Sequence, residues 1–379
     1  MKIEQKKWSS YKGWEQLRSD DKANSSKADL VMVFGSRDLL DNPHLYNQIA
    51  KSYPVANIVM NSTSGEIIDT QVNDETLSLT AICFDKTTMK TACINIISFE
   101  DSKQAGKAIA NSFDTVGLAN LFVIADGQKV NGSDLVEGIQ QHLPKGIIIT
   151  GGLAGDGSRF QKTLAGLNAT PTEGTIIAIG FYGADLTVSH GSVGGWDAFG
   201  PERLVTKSKG NILFELDGQP ALDIYKKYLG DYSKELPGSG LLFPLCIHTS
   251  TKETAIVRTI LSINEDEKSL TFAGNMPQGS YARLMKANFD RLIEGAGNAA
   301  HNSMQMLAKP DLAILISCVG RKLVLNQRIE EEVEAVRDRF GEQTAITGFY
   351  SYGEISPVSG FSTCGLHNQT MTITTMTEN

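Results

Sequence analysis

The chain has 379 residues, with 35 Lys and Arg against 43 Asp and Glu and a formal charge of −8. That balance excludes a phosphate-coating nucleic-acid surface, and no apolar run approaches the roughly 18 residues that a membrane span needs. Five widely spread cysteines, an odd number, and a polar N-terminus without signal-peptide character suit a soluble cytoplasmic protein with reduced thiols.

Residues 1–27, charged and Ser-rich with Trp8 and Trp14, read as a surface strap or arm. A buried strand follows at 29–34, ending in Gly35, Ser36 and Arg37. Asn42 and Pro43 then fit an N-cap and N1 proline, with Leu45 and Ile49 as a short apolar stripe. A second strand run, 121–125, leads to Asp126 and Gly127. The helix behind it carries Leu135, Ile139 and Leu143, with Asp134 and Glu137 as a capping box. From 184 to 283 the texture changes to Gly, Thr and short alternating runs. Here 187–196 reads as a strand entering a glycine loop, 213–216 and 221–229 as a strand and short helix, and 254–262 with 269–272 as a hairpin. A helix at 290–307 precedes a third buried strand, 311–317, and then Cys318, Val319, Gly320 and Arg321. The last helical stripe is Ile329, Val333, Val336 and Phe340, with Gly341 as its C-cap.

Three ten-residue stretches resemble one another: IVMNSTSGEI at 58–67, IITGGLAGDG at 148–157 and ITGFYSYGEI at 346–355. Each runs from apolar to small and polar residues, with Gly eighth (Gly65, Gly155, Gly353) and a carboxylate ninth (Glu66, Asp156, Glu354). Each follows a strand and a helix, and each precedes another strand, at 77–84, 175–182 and 369–375. The expected fold is therefore α/β: repeated β-α-β-β units forming mixed sheets flanked by helices, their glycine corners converging on one shared recess.

The tract Ser62-Thr63-Ser64-Gly65-Glu66-Ile67 and then Gly151-Gly152-Leu153-Ala154-Gly155-Asp156 resembles the N-terminal half of the FIST (F-box and intracellular signal transduction) sensory domain. Residues 210–225 resemble the segment that joins the two halves. Cys318 to Lys322, Gly348 to Ile355 and Leu366 to Thr370 resemble the C-terminal half. The resemblance implies an arm at 1–27, an N-terminal FIST domain at 28–218 and a C-terminal one at 219–376. It also implies a sensory module for small ligands such as amino acids. A stand-alone form is similar to the nitric-oxide-sensing subgroup. That similarity implies haem b and control of a partner histidine kinase in two-component or cyclic-di-GMP signalling. Homo-oligomerisation is left open.

Candidate residues fall into groups. Backbone N–H groups around Gly151 and Gly152, with Ser62, Thr63, Ser64, Thr150 and Ser351 hydroxyls, could cup a carboxylate while Glu66 or Glu354 takes an ammonium. The plainer alternative is tight turns with capping carboxylates. Arg321 could bind a carboxylate in a pocket walled by Tyr350, Tyr352 and Asn368, or form an internal ion pair with Glu354. For haem, His190 and His367 are the candidate ligands, with Tyr350 and Tyr352 in reserve. Cys246, His248, Cys364 and His367 could hold zinc only if the fold joined them, and buried thiols are the commoner outcome. Catalytic signatures are missing, so a hydrolase using Ser62 or Ser64 is the minority reading.

Overall fold

The structure is a computed structural model and describes residues 1–20, 25–249, 255–307, 309–358 and 363–379. Its core is three β-α-β-β units. In the first, Leu30–Gly35 pairs in parallel with Asn57–Ser62 and antiparallel with Leu77–Cys83. In the second, Leu118–Ala125 holds the same place between Ile148–Leu153 and Thr175–Tyr182. In the third, Leu312–Cys318 lies between Ala345–Ser351 and Met371–Glu378. Each central strand is buried on both faces, which is why each reads as an unbroken apolar run.

Side chains on these strands alternate between two cores. Met32, Phe34, Phe122, Ile124, Ile314 and Ile316 point inward, where the three sheets meet in one cluster. Val31 and Val33 face outward under the helix Pro43–Ser52. Leu121 and Val123 face Gly132–Gln140, and Ala313 and Leu315 face Ile329–Phe340. The centre is solid, with Phe34 and Phe349 ring centroids 4.9 Å apart.

The units close into a ring by exchanging strands. Glu66–Ile68, which follows the first glycine corner, adds to Ala345–Ser351 of the third unit. Gly353–Pro357, after the third corner, adds to Ile148–Leu153 of the second. Ala165–Leu167, after the second, adds to Asn57–Ser62 of the first. Each unit also carries an outer strand: Lys2–Ser9, Thr88–Asn95 and Leu186–Val193.

The N-terminal segment joins the first sheet. Lys2–Ser9 extends the first sheet, and Gly13–Ser19 folds back on it as a hairpin. Residues 197–286 are an insertion within the third unit, between its outer strand and the helix Phe289–Ser303, and form a separate antiparallel sheet. The run read as one strand at 254–262, whose Thr254 lies outside the described residues, is divided: Ile256–Arg258 pairs with Leu245–His248, whereas Ile260–Asn264 makes the hairpin with Ser269–Phe272.

Local signals behave as their chemistry requires. Asn42 caps its helix by accepting from the His44 N–H, with Pro43 at N1, and Gly341 ends Ile329–Phe340 at φ +73°. The second-unit helix begins a turn earlier than its capping-box reading, because the Asn131 side chain accepts from the Ser133 and Asp134 N–H groups.

Candidate functional site

The three glycine corners touch directly. The Ser64 N–H donates to the Tyr350 carbonyl at 2.8 Å, Gly155 N–H to Ser62 at 2.9 Å, and Tyr352 N–H to Leu153 at 3.3 Å. These bonds correct the alignment of the second repeat by one residue: Gly155 occupies the place of Ser64 and Tyr352. Gly151 and Gly348 confirm the shift, since each packs its bare Cα against a carbonyl of the adjacent strand, Val123 and Leu315. Asp156 is therefore no counterpart of Glu66 and Glu354.

Those two glutamates are true equivalents. Glu66 accepts from the Thr63 hydroxyl at 2.6 Å and from the Thr76 hydroxyl and N–H at 2.7 and 3.2 Å. Glu354 repeats the pattern with Ser351 at 2.7 Å and Thr370 at 2.8 and 3.2 Å. Burial raises Glu66 to about 7 and Glu354 to about 8, although their hydroxyl partners pull the other way. Both groups hold protons in the folded chain at a pH where the unfolded chain has lost them. Their stabilising contribution is complete below the ordinary carboxylate range and is lost as pH rises through 7 and 8. His367, lowered by burial to about 4, acts in the opposite direction and only below about pH 6.5. Between pH 6.5 and 8 the unfolding free energy should therefore fall, by up to about 1.4 kcal/mol per pH unit for each glutamate. Glu66→Gln with Glu354→Gln should flatten that slope, and an undiminished slope would refute the assignment.

The other candidates are dispersed. Ser62 Oγ accepts from the Leu164 N–H at 2.8 Å, and Ser64 Oγ donates to the Gly157 carbonyl at 3.1 Å. Gly152 is a packing position, where a Cβ would lie 2.7 Å from Ile316. Arg321 is fully buried and pairs with Glu332, not Glu354, through Nε at 3.0 Å and Nη2 at 2.8 Å. It also donates to the Leu292 and Gly194 carbonyls. Tyr350 donates to the same Glu332 at 2.6 Å.

Tyr352 does not share a wall with Tyr350, because the chain crosses to the second sheet there. It bonds Asp156 and stacks on Phe160 at 4.6 Å. Asn368 is buried, and neither of its amide atoms meets a partner among the described residues. His190 lies on Leu186–Val193, and His367 Nε2 sits 3.1 Å from the Ser356 carbonyl. Cys246 and His248 lie on Leu245–His248, Cys364 and His367 on Cys364–His367. Among the described residues no three His, Cys, Asp or Glu side chains group as a metal site.

The open space lies beside the corners, under the inserted sheet. A polar cavity of about 420 Å³ is walled by Thr63 to Glu66, by Asp156 to Arg159 and by Lys322. It shares Ser158 and Leu323 with an apolar cavity of about 470 Å³, whose walls include Phe160, Leu241, Ile260 and Leu261. A third, of about 330 Å³, continues past Phe160 and Leu261 to Tyr352 and Asn131. Of the candidates, Thr63, Ser64, Glu66 and Tyr352 reach this cleft; Ser62, Arg321, Tyr350, Glu354, Asn368 and both histidines do not line it.

Sequence reasoning passed over Lys322, Phe160 and Leu261. Only Lys322 carried a signal, as the residue beside Arg321 in the tract Cys318 to Lys322.

Two family domains cover most of the molecule: the FIST N domain matches residues 29–219 and the FIST C domain residues 221–357. The chain belongs to the FIST family. FIST domains are signal-transduction sensor domains, so the molecule is of a ligand-sensing type. No curated protein sequence matches it significantly. Among the described residues no helix is long and apolar enough to cross a membrane.

Proposed function

We propose that this FIST protein is a non-catalytic sensor whose small ligand seats in the cleft between the ring corners and the inserted sheet. The observation that carries this is the cleft's construction: a polar end at two corners of the ring runs into an apolar end roofed by the insertion. The insertion holds the ring at separate points. Arg258 donates to the Leu366 carbonyl at 2.9 Å, Asn275 donates to Asp134 at 2.8 Å, and Gly238–Leu242 packs near Val319–Leu325. A ligand between the two bodies would bias their packing, and a partner signalling protein would read the change. A histidine kinase, as the family resemblance implies, is the first partner to seek by co-purification.

Haem fits the described residues less well. Neither histidine lines the cleft, and His367 has its Nε2 against a backbone carbonyl inside packed sheet. A hydrolase is disfavoured because neither Ser62 nor Ser64 is bonded to a base among the described residues.

The test is a thermal-shift panel of amino acids, amines, carboxylates and hemin on the wild type and on Leu261→Arg. Leu261 is partly exposed on the cleft wall, so the variant should fold and block the site. The expected result is stabilisation by at least one small organic compound that Leu261→Arg abolishes. A flat panel, binding indifferent to Leu261→Arg, or a Soret band lost in His367→Ala would overturn this reading.

A further inference from the structure

We propose that the position held by the Lys322 ammonium is a ligand subsite, and that a primary amine with an apolar body displaces Lys322 from it. This rests on the sensor reading of the cleft and names the class of ligand.

Lys322 is seated as a bound cation would be. Its Nζ donates to the Ser64 carbonyl at 2.9 Å and to Asp74, and lies 5.7 Å from the centroid of the Tyr350 ring. The place is cut to receive it. Gly65 has φ +138°, and a Cβ there would stand 2.5 Å from Nζ and 3.1 Å from Cε. Beside it on the same wall is Glu66, buried, accepting only from hydroxyl and N–H donors, with no cationic group in ion-pair distance among the described residues.

Charge decides which ligand end enters. Leaving aside the buried, proton-holding Glu66, four carboxylates on this wall (Asp38, Asp74, Glu75 and Asp156) face two cations. Arg159 and the neighbouring Arg37 already pair with Asp38 and Asp156, Lys322 pairs with Asp74, and Glu75 has no ion pair among the described residues. An incoming ammonium can trade places with Lys322, whereas an incoming carboxylate meets like charge. The next residue, Leu323, 41% exposed, borders the apolar cavity with Leu241 and Leu261. An amine seated at Ser64 thus has apolar wall within reach of its body. Lys322 and Leu323 share the helix Val319–Leu325, which packs near Gly238–Leu242 of the insertion. Release of Lys322 gives ligand binding a route to the insertion.

The experiment is calorimetric titration of the full chain with phenethylamine, 3-phenylpropionate and 2-phenylethanol. Phenethylamine should bind at least about tenfold more tightly than either analogue. Lys322→Met should strengthen amine binding severalfold by removing the internal competitor, and Asp74→Asn should weaken it by a similar factor. A carboxylate-binding site would show the reverse response to Lys322→Met. Both variants change partly exposed side chains, and circular dichroism checks their folding. Failure of phenethylamine to bind, or equal affinity in wild type and Lys322→Met, overturns the ammonium assignment. If 3-phenylpropionate binds instead and Leu261→Arg blocks it, the cleft remains the site and only the ligand class is wrong. If Leu261→Arg affects the binding of no compound, the cleft reading falls as well.

Discussion

Arg321→Met should lower the stability of the chain by about 3–5 kcal/mol, the usual cost of breaking a buried ion pair from one side. Arg321 and Glu332 are both completely buried. Loss of the guanidinium would leave the Glu332 carboxylate with the Ser317 and Tyr350 hydroxyls alone, at 3.1 and 2.6 Å. It would also take a hydrogen-bond donor away from the Leu292 and Gly194 carbonyls. Arg321→Met combined with Glu332→Gln should cost less than Arg321→Met alone, because no unpaired charge then remains in the core. The measurement is the denaturant midpoint at unchanged slope. An unmoved midpoint in Arg321→Met would mean that the pair is solvated and that Arg321 is free to serve a ligand.

Gly151→Ala and Gly348→Ala should each prevent accumulation of the folded protein, at a cost above about 4 kcal/mol. A Cβ at Gly151 would stand 1.8 Å from the Val123 carbonyl oxygen, and one at Gly348 would stand 1.9 Å from that of Leu315. Both obstacles are backbone within the parallel pairs that found the second and third units, so no rotamer relieves them. Gly151 also sits at φ +142°, where an added side chain is strained whatever the space. Gly238→Ala is the control: nothing lies within 4 Å of its added Cβ, and its stability should stay within about 0.5 kcal/mol of wild type. Equal yields of soluble protein from Gly151→Ala and Gly238→Ala would contradict the packing described.

The three units were readable because each is local. The central strands announce themselves as apolar runs, the helices by Asn42, Pro43 and Gly341, and the corners by Gly65 and Gly353. The strand exchange was not readable, because Glu66–Ile68 is only three residues long and its partner lies more than 270 positions away. The same crossing separates Tyr350 from Tyr352, which sequence alternation alone puts on one face. The second corner misled for a different reason: four glycines among residues 151–157 fit the repeat in two registers, and the corner hydrogen bonds together with the pairing of Gly151 with Val123 decide between them. The carboxylate at Glu66 was visible as a candidate. Its wall was not, since Lys322 arrives from the third unit and Arg159 from the second, and the insertion roofs the apolar cavity next to it.

The most direct single measurement is hydrogen exchange along the whole chain, with and without whichever compound stabilises it most. The expected result is slowed exchange in residues 157–162, 230–243 and 319–325, the floor, the roof and the helix between them, and no such slowing in Leu261→Arg. Protection gathered instead around His190 and His367, with those three segments unchanged, would place the ligand elsewhere and contradict the cleft as the seat of sensing.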